Sequence, residues 1–146
     1  MDIDLRTPFV ACKAVVPIMI EQGSGSIINI SSHVATNIFS STLGESHDAG
    51  ITLVGQAYGT AKTELERFTW GLAVELGPHN IAVNALKPLR SVATEGFRAQ
   101  RPDADFSTWA TPDDMVKAAK FLADQDAKGL SGATITAEEL VRRLEL

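Results

Sequence analysis

Apolar residues recur along this chain with two periods, and the switches between them lay out its elements. Over residues 8–21, Phe9, Cys12, Val16 and Met19 mark one face of a helix, widened by Val15 and Ile20. Pro8 suits the first turn, where its missing N–H is no loss. Pro17 lies inside the pattern and is expected to bend or split the helix. Gln22-Gly23-Ser24-Gly25 is a stop signal. Residues 26–30, Ser-Ile-Ile-Asn-Ile, then read as a short strand of the buried parallel kind. Residues 33–55 carry no clear period. Helical spacing returns over residues 56–77, with Ala57, Ala61, Leu65, Phe68, Leu72 and Leu76 on one side and Glu64, Glu66, Arg67 and Glu75 on a wetter side. Gly77-Pro78 ends that helix, Pro78-His79-Asn80 turns, and residues 81–86 form a second strand.

Further on, residues 91–109 read as a mobile, charge-rich loop carrying Phe97, Phe106 and Trp109. Thr111-Pro112-Asp113-Asp114 is a helix start: a Thr cap, Pro in the first position, then acids near the positive helix end. Met115, Ala118, Ala119 and Leu122 supply its apolar stripe, and residues 138–146 read as a short amphipathic tail. Strand, long helix, strand is a βαβ unit, so the two strands are expected to be parallel.

Chemistry enters at Gln56-Ala-Tyr-Gly-Thr-Ala-Lys62. Tyr58 and Lys62 are four apart, so on a helix they stand one above the other, here near its start. A free phenol holds its proton to a pKa of about 10. A neighbouring ammonium favours the phenolate and makes the phenol a usable acid or base. Alone, such a pair is commonplace. Its setting is not: Gly25-Ser-Ile-Ile-Asn-Ile-Ser-Ser32 precedes it as a strand ending in two serines, and Ile81-Ala-Val-Asn-Ala-Leu-Lys-Pro88 follows as a strand ending at proline.

This ordered set resembles the short-chain dehydrogenase/reductase family, over about residues 3–136. The resemblance implies an α/β fold: a partial doubly wound, Rossmann-like parallel sheet of about three strands with flanking helices. It makes Ser32, Tyr58 and Lys62 the candidate catalytic residues and Tyr58, Lys62 and Pro88 the candidate cofactor-binding ones. NAD or NADP is the implied cofactor and a small alcohol or ketone the implied substrate. In the family, the loop here at 91–109 closes over substrate, Gly129-Leu-Ser-Gly-Ala-Thr-Ile-Thr136 matches the last strand, and the two long helices pack against a partner subunit, so a homo-oligomer is expected.

Four departures stand out. From Ser32 to Tyr58 is 26 positions, about twice the family's usual separation, so residues 33–55 are expected to be an insertion beside the site. Leu89 replaces the glycine that usually follows the family's proline. Asp4 stands where the family carries its active-site asparagine, and a carboxylate cannot reproduce an amide's donor. The Gly-rich phosphate turn that opens the family's fold is also absent: Gly23 and Gly25 follow a helix and precede a strand, the reverse order. The expectation is one partial domain over 1–146, the carboxyl-terminal catalytic half of an oxidoreductase. The alternative is a truncated or degenerate module that acts, if at all, through subunit contacts.

Composition narrows the rest. A hydrophobic share of 45% and a charged share of 21% fit a globular protein with a core. The net charge of −5 with no basic run argues against nucleic acid. Cys12 is the only cysteine, which excludes an internal disulfide and makes a reducing, cytoplasmic setting the expectation; it reads as a small buried hydrophobe. No apolar run is long enough to span a bilayer. Asp2 and Asp4 stand where a signal peptide would be positive. His33 and His47 lack companions at metal-ligand spacing, so no metal is expected.

Overall fold

The computed structural model describes residues 2–36 and 53–146. Three strands, β1 (Gly25–Ile30), β2 (Ile81–Lys87) and β3 (Thr134–Thr136), form one sheet in the order β1-β2-β3, and both pairings are parallel. The described residues also form five α-helices: α1 (Thr7–Gln22), α2 (Leu53–Leu76), α3 (Glu95–Gln100), α4 (Asp113–Ala123) and α5 (Ala137–Leu144). A short π-helical segment, Asp2–Arg6, leads into α1. The expected Rossmann-like α/β architecture is present.

Strand alternation decides what lies on each face. Ile27, Ile81 and Val83 point toward α1 and α2, where they pack with Cys12, Ala73 and Leu76. Ile28 and Leu86 point the other way, into a second cluster with Ala118, Leu122, Ala137 and Leu140 of α4 and α5. Every residue of β2 is buried, as a central parallel strand should be. On the outer side of β1, no strand pairs among the described residues.

The ends of the elements depart from the sequence reading in four places. Pro17 does not split α1, which runs unbroken to a left-handed Gly23 cap at φ 77°. Helix α2 begins at Leu53, so Tyr58 lies in its second turn rather than at its start. Thr111 does not cap α4: its hydroxyl donates to the Asp113 carboxylate at 3.0 Å, and Pro112 occupies the cap position. The last strand is only Thr134–Thr136; before it, the Leu130 carbonyl and the Ala133 N–H bond the buried Asn84 side chain. The loop at 91–109 contains α3 and is pinned at its base by a bridge between Val92 and Ala110. The expected insertion at 33–55 lies largely outside the described residues, as does His47. Its first residues, His33–Ala35, form a 3-10 turn.

Candidate functional site

The three strands are in register at their carboxyl ends. Ile30 pairs with Leu86 and Leu86 with Ile135, and the Ser31 N–H continues the ladder to the Leu86 carbonyl at 2.8 Å. The next residues of each strand, Ser31-Ser32, Lys87-Pro88 and Thr136, therefore leave the sheet along one edge. That edge is where open α/β sheets bind ligands.

Helix α2 is laid against this edge by specific contacts. The Thr63 hydroxyl donates to the Ala35 carbonyl at 2.8 Å. A Cβ at Gly59 would come within 3.2 Å of the Val34 carbonyl, so only glycine lets helix and turn approach this closely without a shift. Lys62 Nζ donates to the Ile30 carbonyl at 2.9 Å, fixing the ammonium to the end of β1. It lies 5.6 Å from the centre of the Tyr58 ring. The Tyr58 side chain remains 41% exposed, open to a ligand. Ser32, two residues beyond Ile30, is buried, and its hydroxyl oxygen accepts the Val34 N–H at 3.4 Å. Ser32, Tyr58 and Lys62 thus belong to one corner of the fold, joined through the end of β1.

Asp4 also reaches this corner. Its Oδ1 lies 3.4 Å from Lys62 Nζ. An ammonium has three donors. Ile30 and Asp4 engage two, which leaves one for a ligand hydroxyl among the described contacts. Pro88 is half-buried directly after β2, while Leu89 and Arg90 are exposed. The Leu89 N–H is held by Glu138 Oε2 at 2.9 Å. His33 is partly buried in the turn that follows β1. Burial holds its pKa below the usual imidazole value, the Lys87 ammonium adds to that, and the Glu138 carboxylate opposes it.

Two residues at the site were not singled out by sequence reasoning. Glu66, read there as part of a wetter face, is drawn inward: its Oε1 accepts the Ser31 hydroxyl at 2.6 Å and Lys87 Nζ at 3.0 Å. Lys87 donates in addition to the Thr36 hydroxyl at 3.1 Å. A signal was available, because strand alternation from Ile81 and Val83 places Lys87 on the α2 face.

Known proteins resemble this chain in sequence and in fold. A family model described as enoyl-(acyl carrier protein) reductase matches residues 1–139. The chain is 31% identical over 145 residues to 2-dehydro-3-deoxy-D-gluconate 5-dehydrogenase of Formosa agariphila, covering 92% of this chain and 50% of that protein. It is 31% identical over 144 residues to human dehydrogenase/reductase SDR family member 4, covering 92% of this chain and 47% of that one. Among solved structures, a short chain dehydrogenase/reductase family protein superposes with a TM-score of 0.70 at 27% identity, over 91% of this chain and 52% of its own. A gluconate 5-dehydrogenase from Beutenbergia cavernae with bound NADP superposes with a TM-score of 0.67 at 28% identity, over 92% and 52%. The chain spans about half the length of the curated relatives it matches. On the family match, the sheet and the serine, tyrosine and lysine gathered at its edge, the chain belongs to the short-chain dehydrogenase/reductase family.

Proposed function

We propose that this chain is the catalytic half of an NAD(P)-dependent oxidoreductase that interconverts a small alcohol and a ketone. The observation that carries the reading is Lys62, anchored on the Ile30 carbonyl with its ammonium beside the exposed Tyr58 ring. Tyr58 gives a proton to the carbonyl oxygen in reduction and takes one from the hydroxyl in oxidation. Lys62, beside the Tyr58 ring, offers its remaining donor to a ribose hydroxyl. Ser32 turns its hydroxyl to the substrate oxygen, where charge develops. NAD or NADP, when bound, supplies or takes the hydride. These residues suit the nicotinamide end of such a cofactor, and Pro88 would flank it. No Gly-rich turn for its phosphates occurs in this sequence.

The test is a thermal melt of the purified chain with saturating NADH or NADPH, followed by assay of Tyr58→Phe. A ligand at about a hundred times its Kd stabilises the folded state by about 2.7 kcal/mol. The expected result is an upward shift with one cofactor, kept in Tyr58→Phe, and turnover that this variant loses. A cooperative melt that neither cofactor moves, or full turnover by Tyr58→Phe, sinks the reading.

A second reading is a non-catalytic module acting through subunit contacts. It is favoured by apolar side chains left exposed on the two long helices: Phe9, Val10 and Ile18 on α1, and Trp70 and Val74 on α2. A discrete dimer in sedimentation, with no cofactor effect, would support it. A cofactor-responsive dimer is the outcome expected if both the oxidoreductase and its subunit contact are present.

A further inference from the structure

Glu66 and Lys87 carry opposite charges inside the protein, with side chains only 11% and 8% exposed. Neither belongs to the Tyr58–Lys62 pair. Taking two such charges out of water is costly, and well-packed apolar residues often serve stability as well, so a buried pair is weak evidence of a purely stabilising role. What this pair does is tie together elements far apart in sequence. Glu66 Oε1 accepts from Ser31 Oγ at 2.6 Å and from Lys87 Nζ at 3.0 Å, and Lys87 Nζ donates onward to Thr36 Oγ1 at 3.1 Å.

Ser31 and Thr36 are the two ends of the turn that contains Ser32. Within it, the Ala35 N–H donates to the Ser32 carbonyl at 3.0 Å, the Thr36 N–H to the His33 carbonyl at 3.2 Å, and the Val34 N–H to the Ser32 hydroxyl. The turn is therefore internally closed; its backbone meets the rest of the fold at the Ser31 N–H on the Leu86 carbonyl and at the Ala35 carbonyl on the Thr63 hydroxyl, and the side chains at its two ends are held separately. One carboxylate and one ammonium hold both, from α2 and from the end of β2. We infer that Glu66 and Lys87 are positioning residues, whose ion pair sets the place of the turn over residues 31–36 and thereby aims the Ser32 hydroxyl. The inference rests on the reading of Ser32 as the group that holds the reacting oxygen.

The Val34 amide reports the Ser32 hydroxyl directly, so it gives a readout independent of turnover. The chain, labelled with nitrogen-15, is compared with Glu66→Ala, Lys87→Met, the double variant and Ser32→Ala. Glu66→Gln and Lys87→Arg are the conservative controls: the first keeps the acceptor oxygen and the second keeps the charge. The double variant removes both charges and leaves none unpaired inside, which keeps the test open if a single variant does not fold.

The expected result has two parts. In the disrupting variants the Val34 resonance moves toward its Ser32→Ala value, and exchange of the Val34 and Ala35 amides quickens about tenfold or more while α4 amides keep their protection. In the same variants kcat falls by roughly ten- to a hundredfold, with cofactor affinity near that of the parent chain, and the conservative controls recover most of it. An unmoved Val34 resonance overturns the inference. So does exchange that rises equally in α4, which would make the pair a general support of the fold. A displaced turn with undiminished kcat overturns it as well. If the parent chain shows no turnover with either cofactor, the oxidoreductase reading fails by itself, and the Val34 amide alone then decides whether the pair sets the turn.

Discussion

The Asp4 carboxylate stands 3.4 Å from the Lys62 ammonium. Asp4 is about a third exposed and Lys62 nearly buried, at 29% and 13% for their side chains. Solvent reaches such a pair, so its worth to stability is small, about 0–1 kcal/mol. Its effect on Lys62 is more pointed, because the negative charge offsets the ammonium that Tyr58 is proposed to use. Asp4→Asn is therefore expected to leave the melting temperature nearly unchanged and to raise turnover. Steady-state rates for the two proteins check this. A loss of turnover would instead assign Asp4 a direct place in proton transfer.

His33 makes stability depend on pH. Its folded pKa lies below the ordinary value of 6.5, from burial first and the Lys87 ammonium second, against the opposing Glu138 carboxylate. Below that ordinary value the unfolded chain takes up a proton that the folded chain does not yet hold. Stability contributed by neutral His33 is thus present above 6.5 and lost as pH falls through the folded value. Calorimetric melts from about pH 7.5 down to about pH 5 are expected to fall more steeply for the parent chain than for His33→Gln. Parallel curves would remove His33 as the cause.

Cys12 is expected to be chemically silent in the native state. It lies in the core between α1 and the sheet, 5% exposed, and burial pushes its thiol pKa above the ordinary value of 9.0. Reaction needs the thiolate and access to it, and the fold withholds both. A thiol-reactive disulfide dye should label the chain slowly in buffer and quickly in denaturant. Fast labelling in buffer would show that α1 opens.

Leu122 tests the second core cluster. It is fully buried against Leu86, Ala118, Ala137 and Leu140. Truncation to alanine leaves a cavity, and such changes cost about 2–5 kcal/mol. Val74→Ala, at a position 71% exposed, serves as the control and should change stability by no more than about 0.5 kcal/mol. Urea titrations of both variants give the comparison. An equal effect of the two would mean that the α4 and α5 face does not carry the core.

The elements were legible because each is announced by neighbours in sequence. Apolar residues at helical spacing placed α1 and α2 to within a few residues, and the short apolar runs marked β1 and β2. The four-residue step from Tyr58 to Lys62 was enough to put phenol and ammonium on one face, since a helix repeats its faces without help from the rest of the chain. The onset of α2 at Leu53 was missed because residues 53–55 show no period of their own. The Thr111 cap was misread because α4 starts one residue later, with Pro112 in the cap position and the Thr111 hydroxyl donating to the Asp113 carboxylate.

The sequence by itself determined α1, α2, α4 and α5, the two main strands and the Tyr58–Lys62 step, which follow from interactions within a few residues; α3, inside a stretch read as a loop, was not among them. Only the tertiary structure decided that Asp4 meets Lys62, that Lys62 is anchored on Ile30, and that Glu66 turns from a wet face to join Ser31 and Lys87. The physical reason is distance along the chain. A charge's partner is set by which strand end comes to lie beside which helix turn, here from positions 21 to 58 residues apart, and no local period carries that information.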